Sequence, residues 1–199
     1  NPLYADNAKY YLGYIAYDSD DYAKAESYFR EVQDDATLSK NVSYFQANMY
    51  FKQALYDEAI EEGQKQLAKT KSAQEISELN KIIGESYFNQ KKYKEAIPYL
   101  QKYKGKKGKF SNTDYYYLGY AFYKNNDYKA AIEQFNKIVG GNDNVAQNAY
   151  YHLAECYLKT DQKQQALNAF RNASQMDFDK QIKKDAHLNY ARLSYEIGN

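Results

Sequence analysis

Apolar and small residues recur along this chain with a period of about 34 residues, separated by polar stretches. We number each repeat so that place 17 holds the first residue of its second helix, a tyrosine in four repeats and Lys163 in the fifth. The repeats then begin at Asp6, Lys40, Ser77, Asn112 and Gln147, and a half repeat begins at Lys184. Places 4, 7, 8 and 11 share one helical face. This fixed period predicts stacked helix-turn-helix repeats rather than one globular core.

Residue size at individual places indicates how these helices pack. Place 20 is always alanine and place 8 always small, which predicts close crossing of the two helices of a repeat. Places 7, 11 and 24 are mostly large and should fill the space between helices. Repeat 2 departs from the pattern with Gln46, Gly63 and Gln66, so we expect looser packing and a flexible point there. Place 8 is occupied by Gly13, Ala47, Gly84, Gly119, Ala154 and Ala191.

Several segments carry a family resemblance. They are Tyr11-Leu12-Gly13-Tyr14 with Tyr22-x-x-Ala25-x-x-x-Phe29, Tyr117-Leu118-Gly119-Tyr120 with the segment 127–132, and the segment 92–97. The chain resembles the tetratricopeptide repeat family over nearly its whole length. The resemblance implies an all-α, right-handed superhelical array of antiparallel helix pairs, with five full repeats and the first helix of a sixth. It also implies one solenoid domain over residues 1–199.

Charge excludes some function classes. The net charge of +1 argues against a general polyanion binder, and only three arginines occur, so we expect no nucleic-acid partner. Residues 1–100 carry −4 and the remainder +5. Much of the positive charge lies in the stretch 102–109, whose two glycines predict a longer turn. That turn is either a solvated loop or a contact for an acidic partner or membrane headgroups. No stretch is long and apolar enough to span a bilayer.

Candidate chemistry is sparse. Cys156 is the only cysteine and is expected to be a buried small residue. His152 and His187 are too few for a metal site and are interpreted as aromatic-sized spacers. The acidic stretch 18–21 falls in a turn between helices, where its side chains should cap the second helix. The sequence therefore predicts no enzyme, no metal and no cofactor.

The resemblance implies that the first helices line a concave groove through places 2, 5, 9, 12 and 13. Places 5, 9 and 12 hold mainly tyrosine, which buries a large ring and retains a hydroxyl for directional bonding. The family's lysine–asparagine clamp for C-terminal carboxylates is not reproduced, because Tyr44 precedes Asn48 and Glu85 follows Lys81. The predicted partner-binding residues are Tyr10, Tyr14, Tyr17, Tyr44, Asn48, Phe51, Lys81, Phe88, Tyr116, Tyr120, Tyr123 and Tyr151.

Three functions remain open at this point. The first is a non-enzymatic scaffold that binds a partner peptide or helix in the tyrosine-lined groove. The second is a bacterial envelope assembly factor, because the repeats resemble those of outer-membrane and Tol-Pal-associated proteins. The third is a regulatory or sensor domain of a longer enzyme. The absence of an initial methionine leads us to expect a fragment of a longer protein, with a periplasmic or envelope location favoured over a cytoplasmic one.

Overall fold

A computed structural model describes residues 2–35, 37–138 and 140–198, without the side chains of residues 2, 3, 40 and 41. Within this part the chain is all-helical, with eleven helices and no strand. None of these helices is both long enough and apolar enough to cross a bilayer. The helices are α1 (Pro2–Asp18), α2 (Tyr22–Arg30), α3 (Ser39–Lys52), α4 (Tyr56–Leu67), α5 (Ala73–Asn89), α6 (Tyr93–Lys102), α7 (Asn112–Lys124), α8 (Tyr128–Phe135), α9 (Asn144–Lys159), α10 (Lys163–Gln175) and α11 (Lys180–Glu196).

The turn inside each repeat is the same structure five times. It spans three residues, and the residue at place 15 always has a positive φ between 58° and 61°. Asp21 and Asp127 accept hydrogen bonds from backbone N–H groups of α2 and α8, which confirms for Asp21 the predicted capping role. Turn geometry therefore fixes where each second helix begins. Place 15 is occupied by Asp20, Ala54, Lys91, Asn126 and Asp161.

The connection between α6 and α7 is longer than the turns within repeats, as predicted. It spans residues 103–111, and an isolated bridge joins Lys106 to Lys109. Gly105 and Gly108 both have positive φ, which glycine adopts without steric cost. Ser111 then begins α7 with a capping box, because its hydroxyl accepts from the Asp114 N–H while Asp114 accepts from the Ser111 N–H.

The helices form two compact bodies, Asn1–Lys92 and Tyr93–Asn199, called below the N-terminal and C-terminal bodies. In both bodies a glycine at place 8 lies under the phenylalanine at place 24 of its own repeat. A Cβ on Gly13 would lie 2.6 Å from Phe29 Cε1, and one on Gly119 would lie 2.8 Å from Phe135 Cε1. The small residues at place 8 thus admit the large rings at place 24, as the size pattern predicts.

The second helix of repeat 2 is packed more closely than the sequence pattern predicts. Ala59, Ile60, Gly63 and Gln66 are all buried on α4, with Gln66 only 2% exposed. A Cβ on Gly63 would lie 2.8 Å from Cγ1 of Ile83. The side chain at place 7 of repeat 3 therefore occupies the space that a large residue at place 24 fills in other repeats.

Leu12 is a second departure from the sequence pattern. The pattern predicts that it is covered like Ile83, Leu118 and Leu153 at the same place, which are 0–5% exposed. Leu12 is instead 44% exposed. Within the part of the chain that the structure describes, no second helix of an earlier repeat precedes α1 to cover it.

Candidate functional site

The predicted partner-binding residues lie on the first helices of five repeats, namely α1, α3, α5, α7 and α9. Tyr14 is 42% exposed, and the other eleven residues are partly buried. The tyrosine stripe is thus neither a free aromatic surface nor a closed core. The predicted tyrosines at places 5, 9 and 12 are partly packed in the protein and partly exposed to solvent.

In the N-terminal body the stripe of repeat 1 packs around Phe45 of α3. The Phe45 ring centroid lies 6.4 Å from Tyr10, 5.6 Å from Tyr14 and 4.9 Å from Tyr17. Phe45 also stacks on Phe29, with centroids 5.6 Å apart and planes 9° apart. Stacked and edge-on ring pairs of this kind stabilise a fixed arrangement. Phe45 therefore holds the three tyrosine rings in one arrangement by direct ring contacts.

In the C-terminal body the same layer is built around a histidine. His152 of α9 lies 6.4 Å from Tyr116, 4.9 Å from Tyr120 and 5.0 Å from Tyr123, measured between ring centroids. It also stacks on Phe135, with centroids 6.4 Å apart and planes 27° apart. His152 thus contacts the rings at places 5, 9, 12 and 24 of repeat 4, as Phe45 does in repeat 1.

Place 6 is the position that sequence reasoning missed. Phe45 and His152 both occupy this place, and so does Ile82, which belongs to a buried cluster against which Tyr44 and Phe51 pack. The apolar face that comprises places 4, 7, 8 and 11 does not include this position. The signal was available, since place 6 is large in each of these registered repeats.

Polar contacts orient side chains of the ring layers in both bodies. The Asn48 amide donates to the Tyr17 hydroxyl oxygen over 2.7 Å, and the Lys52 ammonium lies 5.2 Å from the Tyr17 ring centroid. Burial raises the pKa of Tyr17 above its usual value. In the C-terminal body His152 Nδ1 lies 2.9 Å from Glu155 Oε2. These contacts favour single orientations of the rings.

Burial is also the main cause of raised pKa values in repeat 4. It raises the pKa of Tyr116 and of Tyr123 well above the usual value for tyrosine. The Glu155 carboxylate adds to the effect at Tyr123 by electrostatic repulsion and by a hydrogen bond. The two phenols are therefore neutral over a wide pH range and can donate hydrogen bonds.

The predicted set also includes Phe51 on α3 and Lys81 and Phe88 on α5. The Lys81 ammonium forms an ion pair with Glu85 over 3.7 Å on its own helix. The Phe51 ring lies 6.0 Å from Tyr56, and Phe88 is half-buried on α5.

The structure brings together the predicted residues of repeats 1 and 4. Asn48 joins the first group through its hydrogen bond to Tyr17. Tyr44 contacts Phe45 and Tyr151 contacts His152, with ring centroids 5.6 Å and 5.5 Å apart.

A pocket of about 350 Å³ opens between the first helices of the N-terminal body. Two predicted residues, Tyr10 and Tyr44, belong to its lining, and Phe45 adds a third ring. We call it the acidic-aromatic pocket, because its other side carries two glutamates at the beginning of α5. The pocket is lined by Tyr10, Tyr44, Phe45, Ser72, Gln74, Glu75 and Glu78.

The C-terminal body has a pocket of about 350 Å³ as well, which we call the mixed-charge pocket. It also contains two predicted tyrosines, Tyr123 and Tyr151, but its charged groups include Lys159 and Arg192. All of its lining except Phe170 comes from first helices. It is lined by Tyr123, Tyr151, Glu155, Leu158, Lys159, Phe170, Asn189 and Arg192.

The cysteine and the second histidine noted in the sequence both lie on helices. Cys156 is fully buried, and burial raises the pKa of its thiol to about 12, so it is not a thiolate nucleophile at neutral pH. His187 is exposed on α11. In the described ranges, no three or more His, Cys, Asp or Glu side chains are grouped so that they could hold a metal ion.

Comparisons with known proteins identify the type of repeat. Residues 10–74 match a family model described as tetratricopeptide repeat. Residues 89–173 match the model for anaphase-promoting complex, cyclosome, subunit 3. No curated protein sequence matches the chain.

Solved structures share the fold at low sequence identity. MamA from AMB-1 is 19% identical with a TM-score of 0.74, over 89% of this chain and 93% of MamA. YrrB, described as a TPR protein with an unusual peptide-binding site, is 17% identical with a TM-score of 0.71, over 88% of each chain. A MamA fragment from Desulfovibrio magneticus RS-1 is 16% identical with a TM-score of 0.67, over 86% of this chain and 94% of that one.

Proposed function

Because the chain belongs to the tetratricopeptide repeat family, we propose that it is a non-enzymatic interaction scaffold whose first-helix faces bind an extended partner peptide. The observation that carries this proposal is the position of the two pockets. Each body has one on its first-helix face, and each pocket is lined by two of the predicted tyrosines. A concave, partly aromatic site with a few convergent polar groups is typical of ligand recognition.

The ring layers behind the pockets support the same function. Phe45 holds the rings of Tyr10 and Tyr14, and His152 holds those of Tyr120 and Tyr123. A surface that is already ordered loses little conformational freedom on binding, so more of the contact energy appears as affinity. Tyrosine adds to this advantage because it has only two side-chain torsions.

A peptide selection tests the proposal directly. A displayed library of random peptides would be selected on the protein, and the enriched peptides would be measured by fluorescence anisotropy. We expect substitution of the two tyrosines at place 5, Tyr44→Ser and Tyr151→Ser together, to weaken their binding about tenfold or more, the size of effect expected of buried aromatic anchors.

The matched control is Tyr28→Ser, which removes a half-buried tyrosine from the second helix α2. This variant should bind the selected peptides like the unsubstituted protein. Circular dichroism must show that all variants remain helical. Equal loss of binding in Tyr28→Ser and in the double tyrosine variant would contradict a site on the first-helix faces.

A further inference from the structure

The acidic-aromatic pocket differs from the mixed-charge pocket in its charge. Its carboxyl groups are those of Glu75 and Glu78, and no lysine, arginine or histidine among the described residues lines it. The mixed-charge pocket instead sets Lys159 and Arg192 beside Glu155. The two sites therefore differ in the charge that they present to a ligand.

The two glutamates of the acidic-aromatic pocket face a wall of rings. Both are partly buried near the beginning of α5, and Glu75 lies in the first turn, where the helix dipole favours negative charge. Glu75 accepts a hydrogen bond from the Thr70 hydroxyl. Glu78 makes no hydrogen bond or ion pair within residues 2–35, 37–138 and 140–198. The Glu78 carboxylate can therefore accept hydrogen bonds from a charged donor with both of its oxygen atoms.

An apolar ligand group would remove water from these carboxylates without replacing its hydrogen bonds, which is unfavourable. An anion would be repelled by them. A cation can pair with a carboxylate through charge-assisted hydrogen bonds. The rings of Tyr10, Tyr44 and Phe45 add a second favourable term, since a cation is attracted to the face of an aromatic ring.

We propose that the acidic-aromatic pocket binds an arginine side chain of the partner peptide, with the guanidinium between the glutamates and the aromatic wall. Arginine fits better than lysine because its planar group can stack on a ring while donating paired hydrogen bonds. The N-terminal body reinforces this preference at longer range, since it carries 11 Lys and Arg against 15 Asp and Glu, a net charge of −4. This inference rests on the proposed peptide-binding function.

The test uses peptides from the random-library selection described above. We expect the enriched peptides to contain arginine, and replacement of that arginine by its neutral isostere citrulline to weaken binding about tenfold. Glu78→Gln should weaken binding of the arginine peptide by a similar factor. It should also abolish the difference in affinity between the arginine and the citrulline peptide. Added salt should also weaken binding of the arginine peptide, because salt screens the charge interaction.

The matched control is Glu58→Gln, which removes one negative charge from an exposed position on α4 outside the pocket. It should leave the affinity unchanged. Enriched peptides without basic residues, or arginine peptides that bind Glu78→Gln as tightly as the unsubstituted protein, would overturn the arginine inference and leave the scaffold proposal standing. If no peptide is enriched at all, the scaffold proposal and the inference that rests on it both fail.

Discussion

At the scale of single residues, place 15 shows how a repeated backbone tolerates different side chains. In all five repeats the residue there adopts a left-handed conformation, although none is glycine. Asparagine and aspartate tolerate this region well, and they stand there in three of the five repeats. Ala54 has no side-chain group that could offset the cost, at a φ of 59°. Its conformation is imposed by the turn between α3 and α4.

We therefore expect Ala54→Gly to stabilise the protein by about 0.5–1 kcal/mol, because relief of the left-handed strain exceeds the extra entropy of the unfolded glycine. The measurement is the midpoint and slope of denaturant unfolding. The control is Ala191→Gly on the exposed side of α11, which should lose about 1 kcal/mol because glycine is a poor helix former. Destabilisation by both substitutions would contradict the strain argument.

At the scale of elements, the packing of α4 on α5 shows compensation between repeats. Gly63 is an apparent defect in the size pattern, yet Ile83 of the next first helix fills the space beside it. Ile83 is fully buried, and its side chain fills the space that is open because Gly63 has no Cβ. Interior packing is dense enough that such a contact allows little extra volume.

Gly63→Leu should therefore destabilise the protein by about 1–3 kcal/mol, even though it restores the large residue found at place 24 in other repeats. The measurement is a double-mutant cycle of Gly63→Leu with Ile83→Ala, in which denaturant unfolding gives the free energy of unfolding of each variant. We expect the double variant to lose less stability than the two single variants together, because the smaller residue at position 83 makes room for the leucine. Additive losses would show that the two positions do not share one space.

At the scale of the whole molecule, partly buried phenols link stability to alkaline pH. The folded-state pKa values of Tyr116 and Tyr123 are raised, so both groups remain protonated in the folded state when the unfolded chain has begun to ionise. The unfolded state then binds fewer protons than the folded state, and stability falls as pH increases. Their contribution is complete below pH 10, the usual tyrosine value, and is lost progressively above it.

Thermal melts between neutral and strongly alkaline pH should show this loss. Tyr123→Phe should reduce the slope of stability against pH above about 10, since it removes one of the ionising groups. Tyrosinate absorbance, followed in the same samples, should show one fewer late-titrating phenol. Tyr4→Phe is the matched control, because it removes a tyrosine that is 73% exposed. An equal slope in Tyr123→Phe and the unsubstituted protein would contradict the assignment.

The sequence by itself determined the class of fold and the register of the repeats. Alanine at place 20, small residues at place 8 and acidic residues in the turns act locally or between the two helices of one repeat. Such effects recur with the period of the chain and can be counted along it. The first-helix position of the tyrosine stripe follows from the same register.

Only the tertiary structure decided what each stripe residue contacts. The role of Phe45 and His152 as the backing of a ring layer depends on how a first helix packs against the preceding repeat, which no local spacing contains. The exchange of volume between Gly63 and Ile83 is of the same kind. The charge of each pocket could not be predicted from the sequence for the same reason. In the acidic-aromatic pocket, Tyr10 and Glu78 are far apart in sequence and come together only because three first helices lie side by side.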